Sequence, residues 1–285
     1  MVNPEGKQRY GLIGYPVKHS FSGLMHNAAF THYGMDAVYE LFEVAPDRLE
    51  EFFKKTVGEK KLCGFNITVP HKEKAVFFLD GEKDKNVVMA QAVNTIRVEA
   101  DGRLSGFNTD GEGFCRDLQE KGVVVGGKNI ALIGAGGGAK AVAIALAGLG
   151  PKRLLIFDLE ASRSRSLVAI LKEFYPQVAA WAVDDLNSLK IEEADLLINA
   201  TPVGMKETDP LLVPDQLLRH KPFVYDLIYN PVETKLLKTA KAVGCRVANG
   251  LGMLLHQGCL AFEIWTRKTA PTEVMQNVLR TKNRV

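Results

Sequence analysis

Four short runs of polar residues carry most of the chemistry this sequence offers. The first is His19-Ser20-Phe21-Ser22, two hydroxyls two residues apart, shortly after Pro16. In an extended turn both face one way and can donate to a carboxylate or a polyol; the same spacing suits Ser22 as a helix N-cap. The second is Asn66-Ile67-Thr68-Val69-Pro70-His71-Lys72. Period-two alternation puts Asn66 and Thr68 on one face of a strand, away from Ile67 and Val69, and Lys72 follows at its carboxyl end. Such a row suits the binding of hydroxyls; the plainer alternative is an exposed strand end with a solvated lysine. The third and fourth are Ala92-Val93-Asn94-Thr95 and Gly106-Phe107-Asn108-Thr109-Asp110-Gly111. The Asn94 carboxamide offers two donors and an acceptor. Asp110 stands where a helix would begin, so it either caps that helix or faces Lys72 at a mouth between domains.

A fifth run points to a cofactor. Gly134, Ala135, Gly136, Gly137, Gly138 and Ala139 directly follow the apolar stretch Asn129 to Ile133 and open an Ala-rich segment from Lys140 to Leu149. This is strand, glycine turn and helix in a G-x-G-x-x-A frame. Gly134 permits the tight turn, Gly136 admits a pyrophosphate to the backbone, and Ala139 lets helix and strand pack closely. The N–H groups and dipole of the helix start favour an anion. A glycine-rich turn with no ligand is the bland alternative, but a further strand follows, as a dinucleotide fold requires.

These groups need a frame to hold them. With about 100–200 residues per domain, a chain of 285 residues suggests two. Strands are expected at 10–14, 38–43, 64–69, 95–99 and 104–107, and helices at 25–33, 72–79 and 110–121. Asp101-Gly102 is a hairpin-type turn, and 122–128 reads as a linker. From Asn129 the pattern turns regularly βα, with strands at 130–134, 154–158, 178–182, 196–199, 223–226 and 246–248 and helices at 140–149, 162–174 and 234–243. That alternation favours a doubly wound parallel sheet. The segment 253–266 is apolar on more than one face and is expected to pack outside the second domain.

Composition narrows the function. Hydrophobic content of 46% and charged content of 24% are ordinary for a globular domain. A net charge of +3, with basic residues interleaved among acids, gives no footprint for nucleic acid. Cys63, Cys115, Cys245 and Cys259 are isolated, with no metal-binding spacing, which suggests buried thiols in a reducing cytoplasm and no metal. Met1 to Tyr10 is polar, without the apolar core of a signal peptide. The most apolar window, 130–149, carries Lys140 and several glycines and is not a membrane span.

Taken together the motifs resemble the shikimate dehydrogenase family, including its quinate/shikimate branch. The resemblance runs through Ser20-x-Ser22, Asn66-x-Thr68-x-Pro70-x-Lys72, Ala92 to Thr95, Asn108 to Gly111 and Gly134 to Gly137. It continues through Asn199-Ala200-Thr201-Pro202-x-Gly204-Met205, the stretch from Tyr225 to Thr234, and Gly252-Met253-Leu254-x-x-Gln257. It implies an α/β chain of two domains. Residues 1–109 with 251–285 would form an αβ substrate-binding and catalytic domain, and residues 110–250 a Rossmann-type dinucleotide-binding domain, the C-terminal helices returning to the first. Ser20 and Ser22 would hold the substrate carboxylate, with Tyr229 nearby. Asn66, Thr68, Asn94 and Gln257 would bind ring hydroxyls and carboxylate, and Lys72 and Asp110 would form the catalytic pair. The cofactor would lie against the turn from Gly134 to Ala139 and against Asp158, Arg163, Thr201, Pro202, Ile228, Gly250 and Met253. The activity implied is reversible hydride transfer between shikimate and 3-dehydroshikimate, on the route to chorismate and the aromatic amino acids, by a cytoplasmic monomer or homodimer without nucleic-acid or membrane partners. The chemistry agrees: reduction builds negative charge on a ring oxygen, and a cationic donor there stabilises it and delivers the proton.

Two points depart from the common family pattern or stay open. Many members follow the second cofactor-domain strand with an arginine that grips the 2′-phosphate of NADP. Here the run is Phe157-Asp158-Leu159-Glu160-Ala161-Ser162-Arg163. A carboxylate about twenty residues past the glycine turn accepts bonds from ribose hydroxyls and repels a phosphate, so NAD is expected. Arg163 and Arg165 keep NADP open, and Asp158 could instead cap the next helix. The Ser20-x-Ser22 pair resembles shikimate-preferring members, with quinate as the alternative substrate. A dehydrogenase of another cyclohexene polyol such as aminoshikimate is a competing reading. So is an inert dinucleotide-binding regulator, against which the presence of both Lys72 and Asp110 argues.

Overall fold

The computed structural model describes residues 6–282, so the first part of the polar N-terminal stretch, residues 1–5, lies outside the described residues. The chain divides into two compact units, residues 1–113 with 254–285, and residues 114–253. Both divisions fall inside helices, α3 (Asp110–Glu120) and α7 (Leu251–Thr266).

The first unit is built on five strands, β1 (Gln8–Gly14), β2 (Ala37–Glu43), β3 (Leu62–Ile67), β4 (Thr95–Val98) and β5 (Leu104–Phe107), in the order β2-β1-β3-β4-β5. β1 runs parallel to both β2 and β3, and β4 and β5 are antiparallel additions. Side chains alternate across such a sheet, so β1 feeds two cores. Tyr10 and Leu12 join Met25, Phe30, Phe262 and Trp265 on one face, while Ile13 joins Phe52, Phe65, Ile67 and Ile96 on the other. Helix α1 (Ser22–His32) packs against the last helix, α8 (Thr272–Lys282), and Trp265 Nε1 of α7 donates to the Ile96 carbonyl at 2.9 Å. The Asp101-Gly102 turn closes β4 onto β5, with Gly102 at a φ of +88°.

Local structure departs from the sequence expectation in three places. The helix expected over 72–79 is a 3₁₀ turn, Lys74–Phe78, and β3 stops at Ile67, where the Thr68 carbonyl accepts from the His71 N–H and starts a turn. Residues 46–59 form a run of short helical turns that buries Leu49, Phe52, Phe53 and Val57. Helix α2 (Lys85–Ala90) begins at Asp84, whose Oδ1 accepts from the Val87 N–H at 2.7 Å.

The second unit is a six-stranded, wholly parallel sheet: β6 (Asn129–Ile133), β7 (Arg153–Phe157), β8 (Ala180–Val183), β9 (Leu196–Asn199), β10 (Phe223–Asp226) and β11 (Val247–Asn249). Its order, β11-β10-β9-β6-β7-β8, reverses direction between β6 and β9. The central strands read as continuous apolar runs because both faces are covered; Ile130 to Ile133 and Leu196 to Ile198 are all buried. Helices α4 (Gly137–Gly148), α5 (Ala161–Phe174) and α6 (Lys235–Ala242) supply the crossovers after β6, β7 and β10. Among the described residues no helix is long and apolar enough to cross a membrane.

Candidate active site

In the first unit the polar runs converge where β3 and β5 end and α3 begins. Lys72 Nζ lies 2.5 Å from Asp110 Oδ2, with the two side chains 15% and 5% exposed. Asp110 is held from its other oxygen by Asn94, whose Nδ2 donates to Oδ1 at 2.8 Å. The orientation of that amide is set by Thr109, because Asn94 Oδ1 accepts from the Thr109 N–H at 2.9 Å. Asn94 is itself fixed by the sheet: its carbonyl accepts from the Ile67 N–H, and its N–H donates to the Phe107 carbonyl. Asn108 serves the start of α3, accepting from the Asp110 N–H at 3.2 Å and donating to the Ala92 carbonyl at 2.8 Å. Backbone bonds to β3 and β5 therefore fix Asn94, and its amide in turn holds Asp110 beside Lys72.

Gln257 reaches the same cluster from α7. Its Oε1 lies 3.4 Å from Asn94 Nδ2, and its carbonyl accepts from Thr109 Oγ1 at 3.1 Å. Gly113 makes this approach possible, since a Cβ there would stand 2.7 Å from the Gln257 backbone nitrogen.

The hydroxyl pair also comes together. Ser20 Oγ lies 3.2 Å from Ser22 Oγ and accepts from the Ser22 N–H at 3.3 Å. Helix α1 starts at Ser22 with no side-chain cap, so the capping alternative for that residue is not what its hydroxyl does. Thr68 is half-buried just past β3.

Asn66 is more committed than its type suggested. Both hydrogens of its amide are used inside the protein, on the Asn94 carbonyl at 3.1 Å and Thr95 Oγ1 at 3.0 Å. Its Oδ1 accepts from the Tyr39 hydroxyl at 2.8 Å. Tyr39 in turn stacks on His26, ring centroids 4.5 Å apart. The sequence reading singled out neither of these two. His26 is fully buried without a hydrogen-bond partner for either ring nitrogen, and burial pushes its pKa down to about 3.

In the second unit the glycine turn has the shape its residues require. Gly134 adopts a φ of +106°, and a Cβ there would stand 2.9 Å from the Ala200 carbonyl oxygen. At Gly136 a Cβ would meet nothing within 4 Å, so the turn is open on the side where an anion would approach. Ala139 is fully buried under the sheet. Asp158, just after β7, accepts from the Ala135 N–H at 2.7 Å and from the Glu160 N–H at 2.9 Å. It thus anchors the glycine turn to the second strand. Leu159 beside it is 91% exposed, and Arg163 Nε donates to Glu160 Oε2 at 2.6 Å. These residues fit a dinucleotide: an open glycine turn for a pyrophosphate and a carboxylate beside it for a ribose.

The remaining expected cofactor residues lie past the carboxyl ends of three strands, Thr201 and Pro202 after β9, Ile228 after β10, and Gly250 after β11 with Met253 in the first turn of α7. Asn199 Oδ1 accepts from the Thr201 N–H and hydroxyl at 3.0 and 2.7 Å, and Asn199 Nδ2 donates to the Val203 carbonyl at 3.1 Å, which shapes the loop carrying Thr201 and Pro202. Ile228 and Tyr229 follow β10. Gly250 N donates to the Ile228 carbonyl at 3.1 Å, and a Cβ at Gly250 would collide with the Leu227 carbonyl at 2.0 Å. Met253 is buried early in α7, and Tyr229 is half-buried.

Comparison with known proteins decides the family. A model of the shikimate dehydrogenase substrate binding domain matches residues 12–96, and one of the shikimate 5′-dehydrogenase C-terminal domain matches residues 250–280. Shikimate dehydrogenase (NADP(+)) of Moorella thermoacetica is 44% identical over 276 residues, covering 94% of this chain and 91% of the relative. The chain belongs to the shikimate dehydrogenase family. Its fold agrees with solved members. A crystal structure of a shikimate dehydrogenase in complex with NADP+ superposes with a TM-score of 0.87 at 40% identity, covering 99% of this chain and 97% of that one. Shikimate 5-dehydrogenase from Listeria monocytogenes, in complex with shikimate and NAD, superposes with a TM-score of 0.84 at 36% identity, covering 96% of each chain. Ser20, Ser22, Asn66, Thr68, Lys72 and Asn94 fall inside the matched substrate binding domain, and Gln257 inside the matched C-terminal domain of this family.

Proposed function

We propose that the chain is a shikimate dehydrogenase, transferring hydride reversibly between shikimate or 3-dehydroshikimate and a nicotinamide dinucleotide, NAD ahead of NADP. The observation that carries this reading is the 2.5 Å contact of Lys72 Nζ with Asp110 Oδ2 inside a hydrogen-bonded polar cluster. When bound, the nicotinamide supplies or takes up the hydride. The chain's own work is proton transfer and orientation. During reduction, negative charge grows on the ring oxygen, and the Lys72 ammonium, with donors to spare beyond the one aimed at Asp110, stabilises that charge and gives the oxygen its proton. In the reverse direction the same pair takes the hydroxyl proton.

Asn94 keeps Asp110 aimed at Lys72. Ser20 and Ser22, a hydroxyl pair in contact, suit the substrate carboxylate, with Thr68 and Gln257 as further donors for carboxylate and ring hydroxyls. Asn66, whose amide hydrogens are already taken, supports Asn94 and Thr95 and offers a ligand only the remaining lone pair of Oδ1.

The preference for NAD rests on Asp158, a carboxylate where a 2′-phosphate would be repelled, and on Leu159, which offers no charge to replace it. Each Asp158 oxygen accepts one backbone N–H and keeps a second acceptor direction for a ribose hydroxyl. Arg163 is engaged with Glu160. The relative named above is described as NADP(+)-dependent, while the Listeria structure holds NAD, so the family accommodates both. The direct test is an initial-rate assay of the purified chain with shikimate and with quinate, each paired with NAD and NADP. The reading predicts the highest kcat/KM for shikimate with NAD; no turnover in any pairing would defeat it.

A further inference from the structure

The parallel sheet of the second unit has two halves of the same build, β6-β7-β8 and β9-β10-β11, meeting where the order reverses. The middle strand of each half ends in an aspartate: Asp158 directly follows β7, and Asp226 closes β10. A dinucleotide lying across such a switch point places one nucleotide over each half. The glycine turn and Asp158 mark the adenosine half, so the nicotinamide half belongs to the carboxyl ends of β9 and β10.

The two aspartates differ in surroundings. Asp158 is half-buried, whereas Asp226 is 0% exposed. Every partner of Asp226 is neutral. Its Oδ1 accepts from Asn199 Nδ2 at 3.0 Å and from the Ile228 N–H at 3.1 Å, and its Oδ2 accepts from Thr234 Oγ1 at 2.7 Å. Among the described residues no lysine, arginine or histidine pairs with it, and no charged neighbour shifts its ionisation. Burial pushes its carboxyl up to about 6, so at pH 8 it is charged and uncompensated. The loop above it is held in place: Leu227 N donates to the Asn199 carbonyl at 2.9 Å, and Gly250 leaves no space behind Leu227. A buried charge without a counterion favours a cation brought within its reach. The oxidised nicotinamide ring is a cation; the reduced ring is neutral.

We propose that the Asp226 carboxylate sets the balance between oxidised and reduced dinucleotide on this protein by favouring the cationic ring over the neutral one. The inference rests on the reading of the chain as a nicotinamide-dependent dehydrogenase. A purely structural Asp226 would support both forms of the cofactor equally, because the loop it ties is the same for both. Across an effective dielectric of about 20, a buried unit charge separated from the ring by a loop would change such a ratio by about tenfold.

The test is binding, with no turnover involved. Dissociation constants for oxidised and reduced NAD are measured at pH 8 on the full chain, on Asp226→Asn and on Thr234→Val. The amide keeps the size of the side chain and removes its charge; the valine removes the hydroxyl's bond to Asp226, and with it the cap on the Leu237 N–H, and keeps the charge. The expected result is a rise of about tenfold in the ratio of oxidised to reduced dissociation constants in Asp226→Asn, with little change of that ratio in Thr234→Val. Should Asp226→Asn fail to fold, the unaltered chain is titrated with benzamide adenine dinucleotide, whose planar ring is neutral, and is expected to bind it about tenfold more weakly than oxidised NAD. An unchanged ratio in Asp226→Asn, an equal shift in both variants, or equal affinity for the neutral analogue overturns the proposal. Failure of the unaltered chain to bind either form of the cofactor overturns the dehydrogenase reading beneath it.

Discussion

Asn94 Nδ2 donates to Asp110 Oδ1 at 2.8 Å, and that bond leaves the other carboxylate oxygen to Lys72. The amide cannot rotate without surrendering the Thr109 N–H to which its oxygen is bonded. Asn94 is thus a fixed bracket for the acid of the proposed catalytic pair.

Removing that bracket should slow turnover more than it weakens binding of the dinucleotide. A hydrogen bond to a charged group contributes about 1.5–3 kcal/mol, so Asn94→Ala is expected to lower kcat roughly 10- to 100-fold. The dissociation constant for NAD should stay within about twofold. A variant with unaltered kcat and a raised KM for shikimate would make Asn94 a simple substrate contact.

Cofactor choice should move with the end of β7. In the native chain NAD is expected to have the higher kcat/KM. Changing Asp158 to Asn removes a charge that repels phosphate, and changing Leu159 to Arg adds a forked, permanently charged donor that fits it. The double variant should gain with NADP and lose with NAD, while KM for shikimate changes little. Equal losses with both cofactors would show that Asp158 matters chiefly as the anchor of the Ala135 N–H.

Stability should fall in acid because of His26. Its pKa is pushed down to about 3 by burial, against an ordinary value near 6.5, so folding holds it neutral while the unfolded chain takes up a proton. The contribution is complete above the unfolded value and is lost as pH falls towards the folded one, at about 1.4 kcal/mol per pH unit. Urea midpoints between pH 7 and 4 should therefore drop less steeply in His26→Leu than in the native chain. Parallel curves for the two proteins would place the acid sensitivity elsewhere.

Much of the frame was legible because it follows local rules. The strands β9 and β10 were read to the residue, since each is a short apolar run closed by a polar residue, Asn199 or Asp226. The polar runs bearing Lys72, Asn94 and Asp110 stood out because such groups are out of place on a buried strand end. The turns over 46–59 escaped, being too short to show a helical period, and so did α2, although Asp84 was a visible cap. The Tyr39–Asn66 bond was out of reach for a different reason. β2 and β3 are not neighbours in the sheet but flank β1, so the contact exists only once the strand order is known. Asp226 looked like any aspartate that ends a strand; that no cation among the described residues pairs with it appears only in three dimensions.

The central claim is that Lys72 does the proton work of a shikimate dehydrogenase. It is tested most directly by measuring kcat for shikimate oxidation with NAD in Lys72→Ala, alongside the dissociation constant for NAD. General acid–base groups contribute about 10²–10⁴-fold, so kcat should fall by that factor while NAD binding stays within about threefold. Near-native kcat in the variant would contradict the account.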